Sequence, residues 1–200
     1  MGTDQFDEAA IWASARGGDS SAFAAIFDAH RDRVFGQALR LIREPHDAED
    51  VTALVFLEAW RRRDSVRVVD ASVIGWLLVT TNNVVRNLAR SRRRHRELLE
   101  RIPRPSLTDD APDHAEVVGE RIDHADRDAK VRSAFARLAK ADQDVITLCV
   151  LEELTTGQAA AVLGVPVGTV KSRLSRAKQR FSAHTTELLG QSTSPAGGAR

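Results

Sequence analysis

The chain has no tyrosine, one methionine and one cysteine, and aromatics make up only 5 % of its 200 residues. A lone cysteine closes no disulfide within a chain and builds no zinc framework. Cys149 falls in the apolar run 145–151, where it reads as a core residue rather than a nucleophile. No apolar run approaches the ~18 residues of a membrane span. The acidic start is nothing like a signal peptide, so a cytoplasmic protein is expected. Also missing are an HExxH pair, a glycine-rich phosphate loop and a nucleophile with an evident base. Asp28, His30 and Asp32, and the group His46, Asp47, Glu49 and Asp50, do not replace them. Spacings of two and four residues fan side chains around a helix instead of converging them on an ion. No enzyme, cofactor or metal site is expected.

Strand-like alternation is nearly absent, whereas Ala, Leu, Arg and Glu abound, so the expected class is all-α. The net charge of +1 conceals segregation along the chain. Residues 1–60 carry a net −6, residues 61–104 a net +8, residues 105–130 a net −5 and residues 131–200 a net +4. Two basic blocks separated by an acidic one suggest two nucleic-acid contacts on one molecule.

Residues 101–113, RIPRPSLTDDAPD, hold three prolines and three aspartates and cannot continue a helix. They mark an acidic, flexible linker over about residues 99–123, between two small helical domains at 1–98 and 124–190. The tail 191–200, QSTSPAGGAR, reads as disordered. In the first domain a helix should start at Ser20 or Ser21 and run through Phe27, Val34 and Ile42 to the break at Glu44-Pro45. A second should follow, opened by Asp47, Glu49 and Asp50 and closed by three arginines, the order a helix dipole favours. After a loop at 64–72, a long helix should begin apolar and end as RSRRRHR.

The segment 155–181, TTGQAAAVLGVPVGTVKSRLSRAKQRF, carries the most information. Thr155 and Gln158 have the spacing of a capping box. Gly164 supplies a turn, and Pro166 suits the first position of the next helix. Small Ala160 and apolar Val170 flank that turn as two steeply crossing helices require. The second helix is apolar along Val170, Leu174, Ala177 and Phe181. It also carries Lys171, Arg173, Arg176, Lys178 and Arg180 with no acid among them. Such a helix is built to lie against phosphate.

Taken in order, DAEDVTALVFLEAW, GWLLVTTNNVVRNLARSRRR and LGVPVGTVKSRLSRAK resemble a sigma factor of bacterial RNA polymerase. The resemblance is to the compact two-domain, extracytoplasmic-function group of the sigma-70 family. It implies a first domain that binds core polymerase at the clamp of its largest subunit and melts the −10 element of promoter DNA. The second domain would place its recognition helix on the −35 element. It also implies an anti-sigma factor as partner, in a stress or envelope response.

On that resemblance Asp47, Glu49, Asp50, Phe56 and Trp60 match the clamp-binding helix. First-turn acids stabilise any helix, however, and Phe56 and Trp60 at i and i+4 equally suit a core. Ala53-Leu54 stands where the family usually has Gln-Glu. Asn83 and Asn87 match polar positions of the −10 helix, with Arg86 and Arg90 on the same side to hold phosphate. Arg92, Arg93, Arg94 and Arg96 are too dense to read bases singly and suit the DNA backbone. The loop 64–72 corresponds to the family's base-capturing loop, with Val66 in place of the usual aromatic. Trp76 suits either a stacked base or the core.

Thr169 and Ser172 are short enough for backbone phosphates. Arg173 and Arg176 suit guanine edges, since a guanidinium donates to O6 and N7 together. Lys171 and Lys178 complete the candidates of this helix. The alternative is a free-standing helix-turn-helix regulator, which needs a dimer interface to read two half-sites. No heptad seam or ligand domain provides one.

Overall fold

The computed structural model describes residues 7–100 and 119–190. The middle of the expected linker and the tail 191–200 lie outside them. The described residues are helical, with one isolated bridge between Val69 and Ser72 and no strand.

Helices α1 (Glu8–Arg16), α2 (Ser20–Ile42), α3 (Pro45–Arg61) and α4 (Ile74–Glu100) form the N-terminal bundle. The first of these was not expected from the sequence. Asp7 caps it, and it buries Trp12 and Ala15. Asp19 caps α2 through the Ser21 and Ala22 N–H groups, so the helix starts at Ser20 as expected. It ends at Arg43, whose left-handed φ of 69° reverses the chain before Pro45 enters the first turn of α3. The core gathers Trp12, Ile26, Val34, Val51, Val55, Phe56, Val73 and Leu77.

The C-terminal domain holds α5 (Gly119–Arg137), α6 (Lys140–Ile146), α7 (Thr156–Leu163) and α8 (Val167–Gly190). Helix α4 reaches Glu100 and α5 begins at Gly119. Both ends of the expected linker are therefore helix. A π-helical turn, Thr147–Leu151, continues α6 through the apolar run 145–151. Cys149 sits in that turn half-buried and packed against the C-terminal core. Burial pushes its thiol up and Lys178 partly offsets this, which makes it a poor nucleophile.

The two domains are packed on each other. Leu41, Val69 and Val79 of the N-terminal bundle join the core of the C-terminal domain. Gly75 lies so close to Val162 that a Cβ at 75 would meet its Cγ2 at 2.7 Å.

Candidate nucleic-acid and polymerase interfaces

The turn between α7 and α8 forms as its residues require. Thr155 Oγ1 accepts from the Gln158 N–H at 3.2 Å, and the Thr155 N–H donates to Gln158 Oε1 at 2.6 Å. Gly164 adopts φ 65°, and its N–H and that of Val165 both donate to the Ala160 carbonyl at 2.8 and 3.1 Å. A side chain would be strained at that φ. It would also collide with the Arg67 guanidinium, 2.0 Å from an added Cβ. Pro166 stands one residue ahead of α8 rather than in its first position, and its carbonyl accepts from Thr169 and Val170. Ala160 and Val170 are both buried at the crossing.

At about 100° per residue, Thr169, Ser172, Arg173, Arg176 and Arg180 share one flank of α8. Lys171 and Lys178 lie on the other. Lys178 lines an apolar groove with Phe135, Ile146 and Phe181, so it does not extend the Arg176 surface. Ser172 is exposed but donates its hydroxyl to the Thr169 carbonyl at 3.1 Å, and Arg176 Nε donates to the Ser172 carbonyl at 3.2 Å. That bond directs the Arg176 side chain back along the first turn of the helix. Arg173 faces the cleft between the domains instead.

The −10 candidates divide in two. Asn87, Arg90, Arg93 and Arg94 line one notch of about 240 Å³ near the basic end of α4, with Arg93 Nε 3.4 Å from Glu97. Four such groups around a notch suit a phosphate-bearing strand. Asn83 and Arg86 instead turn inward, with Arg86 Nη1 donating to Asn83 Oδ1 at 3.4 Å. Its Nε and Nη2 both reach Gln143 Oε1 of the C-terminal domain, at 3.2 and 2.6 Å. Asn82, which no sequence pattern singled out, is buried beside them. Its carbonyl accepts from Gln37 at 3.0 Å, and its amide donates to Asp144 Oδ1 at 3.3 Å and Thr147 Oγ1 at 2.9 Å.

The loop before α4 is a preformed turn. Asp70 and Ala71 have φ of 50° and 58°, and Val69 and Ser72 exchange both backbone hydrogen bonds. Val66 is buried in the bundle and is not offered to a base. Trp76 is partly buried against the same core and lines the cleft between the domains.

On α3, Phe56 is a core residue, with its ring 4.7 Å from Phe27 and 6.4 Å from Phe23, centroid to centroid. Only 3 % of it is exposed in the folded chain. Trp60 is half-buried, edge-on to Phe23 at 5.0 Å and with the Arg63 guanidinium 4.9 Å above its ring. Glu49 and Asp50 are exposed. Asp47 bonds Arg92 of α4 at 2.5 Å, which holds its carboxyl below the usual range. Two large apolar side chains of this helix are exposed, Leu54 of the Ala53-Leu54 departure at 49 % and Leu57, which no sequence pattern singled out, at 51 %.

Residues 26–95 match the family model for sigma-70 region 2, and residues 128–181 the model for sigma-70 region 4. The chain belongs to the sigma-70 family of sigma factors, in its extracytoplasmic-function group. As a sigma factor it is 29 % identical over 156 residues to the ECF RNA polymerase sigma factor SigK of Mycobacterium sp. (strain KMS), covering 78 % of this chain and 79 % of that one. It is 33 % identical over 155 residues to the ECF RNA polymerase sigma factor SigE of Mycolicibacterium smegmatis, covering 76 % and 57 %. Among solved structures it is similar to that of CnrH in complex with the cytosolic domain of CnrY. The TM-score is 0.56 at 27 % identity, over 94 % of this chain and 99 % of that one.

Proposed function

We propose that this sigma factor brings core RNA polymerase to two-part promoters through three separate surfaces. Residues 1–98 form the clamp-binding and −10 unit, and residues 124–190 the −35 unit. The exposed face of α3, with Glu49, Asp50, Leu54 and Leu57, meets the clamp. The notch of Asn87, Arg90, Arg93 and Arg94 holds the −10 strand by its phosphates. On α8, Arg176 reads a base edge while Thr169 and Ser172 sit against the backbone.

The observation that carries this reading is the coincidence of chemistry with family position. The two cation-lined helix faces fall one in the region 2 match and one in the region 4 match. No step of bond chemistry is assigned to the chain. No described helix is long and apolar enough to cross a membrane. We place the protein in the cytoplasm, where polymerase works. A protein that covers these faces until a signal arrives fits the same surfaces, as CnrY accompanies CnrH in its solved complex.

The test is run-off transcription of a genomic promoter library by purified bacterial core polymerase, with and without the chain. Specific transcripts sharing a two-part upstream element are expected. Tight operator binding by the chain alone, with no transcripts, supports the free-standing regulator instead.

A further inference from the structure

Lys178 lies on the far side of α8 from Arg176, and the surface it meets there is apolar. Leu41, Phe135, Ile146 and Phe181 line a groove beside it of about 350 Å³. That volume lies within the range of small-molecule sites. Val131, Val150 and Leu151 line it as well, and all three are exposed. Exposed apolar side chains gathered in one place mark a surface that has something to bind. Val150 and Leu151 stand in the π-helical turn, a distortion found frequently at functional sites.

Charge distinguishes this groove from an ordinary apolar patch. Arg40 and Arg132 line it with Lys178, and no acid among the described residues does. Its surface is almost wholly apolar, so the three cations contribute their aliphatic stems and hold their charges at its mouth. Arg40 Nη1 donates to Gln37 Oε1 at 2.7 Å. Burial and the like charge of Arg43 push the Arg132 guanidinium down, and Asp128 offsets them only in part. Asp128 is itself bonded to Arg43 at 2.8 Å. A further anion beside Arg132 would favour its charged form.

We propose that this groove binds a single-chain aliphatic acid. The tail lies along Leu41, Phe135, Ile146 and Phe181, and the carboxylate accepts paired donors from Arg132 in the field of Lys178 and Arg40. The volume suits one alkyl chain rather than the spaced anchors of an amphipathic helix. A neutral or cationic amphiphile would leave the three cations unmatched. No described residue of α4 lines the groove, and α8 gives it the face turned away from Arg176. The site is therefore separate from the promoter contacts proposed above.

Isothermal titration calorimetry of the full chain with octanoate, decanoate and dodecanoate, each below its micelle concentration, tests this. One saturable site is expected, tightening about fourfold for each added CH2 until the groove is filled, which is about 0.8 kcal/mol per step. Decanol should bind roughly tenfold more weakly than decanoate, for want of the charge-assisted pair. Arg132→Glu sets a like charge at the mouth, and Val150→Glu sets one at an exposed apolar edge. Each should weaken decanoate at least roughly tenfold. Val150→Glu changes an exposed position and keeps the fold, which a circular dichroism melt checks. No saturable heat at any chain length, equal affinity for decanol and decanoate, or binding unchanged in both variants overturns the proposal. So does a groove that takes an acidic amphipathic helical peptide but not decanoate, which would make it a protein-docking face instead.

Discussion

The Glu8 carboxylate caps α4 from a different helix, accepting the Val73 N–H at 2.7 Å just before the first turn of α4. The same oxygen accepts the Ser72 hydroxyl at 3.1 Å and lies 2.8 Å from His30 Nε2. The His30 contact is close but not angled as a hydrogen bond, and among the described residues the ring nitrogens find no hydrogen-bond partner. One carboxylate therefore ties α1 and α2 to the preformed loop that precedes α4.

Removing that cap should destabilise the bundle. Glu8→Ala is expected to cost about 1 kcal/mol, the usual size for a lost helix cap. In a chain of this length that lowers Tm by roughly 3 °C. Differential scanning calorimetry checks it. Burial pushes the Glu8 carboxyl up, but His30, the Val73 N–H and the Ser72 hydroxyl outweigh it and leave it below the usual 4.5. Such a group gives its full stability above 4.5 and loses it as pH falls through the lowered value. Urea melts of Glu8→Gln should therefore show a shallower loss of stability below pH 4.5 than wild type.

Phe56 and Leu57 are neighbours in sequence with opposite consequences. Phe56→Ala removes a buried ring and should cost about 3–5 kcal/mol of stability, measurable by urea titration. Leu57→Glu changes an exposed position and should leave stability within about 0.5 kcal/mol. Its affinity for core polymerase should nevertheless fall at least roughly tenfold, the loss of one apolar anchor at an interface.

Along α8, Arg176→Ala should cost about 1–3 kcal/mol on the correct −35 element and relax specificity at one base pair. Lys178→Ala should leave promoter discrimination unchanged, because Lys178 lies about 200° round the helix from Arg176. Competition binding of holoenzyme on single-base promoter variants separates the two.

Arg90→Ala and Arg94→Ala should behave differently from Arg176→Ala. Each should weaken all promoters alike and reduce the slope of log affinity against log salt by about 1. A change in which −10 bases are preferred would show that the notch reads sequence.

The local devices were legible in the sequence. The Thr155 capping box, the Gly164 turn and the break at Glu44-Pro45 each depend on residues within four positions of one another, and each formed. The extracytoplasmic-function resemblance was legible for the same reason, since its motifs are contiguous. What the sequence did not disclose depends on contacts between distant segments. Helix α1 carries an unremarkable pattern, and its importance comes from Glu8 meeting Val73 and His30. Asn82 looked like a neighbour of the candidate Asn83 until the helix turned it toward Asp144. Likewise Phe56 turns into the core and Lys178 lines an apolar groove, neither of which the chemistry of the residue foretold. Which side of a helix is covered is decided by its partners, and those are not written in its own periodicity.

The proposed function requires that the chain recognise promoters as part of the polymerase and not alone. The most direct measurement is a footprint of a promoter recovered by run-off transcription, with the chain alone and with core enzyme at the same concentration. Protection of both elements, and opening of the −10 strands, is expected only when core is present. Equal protection by the chain alone would contradict it.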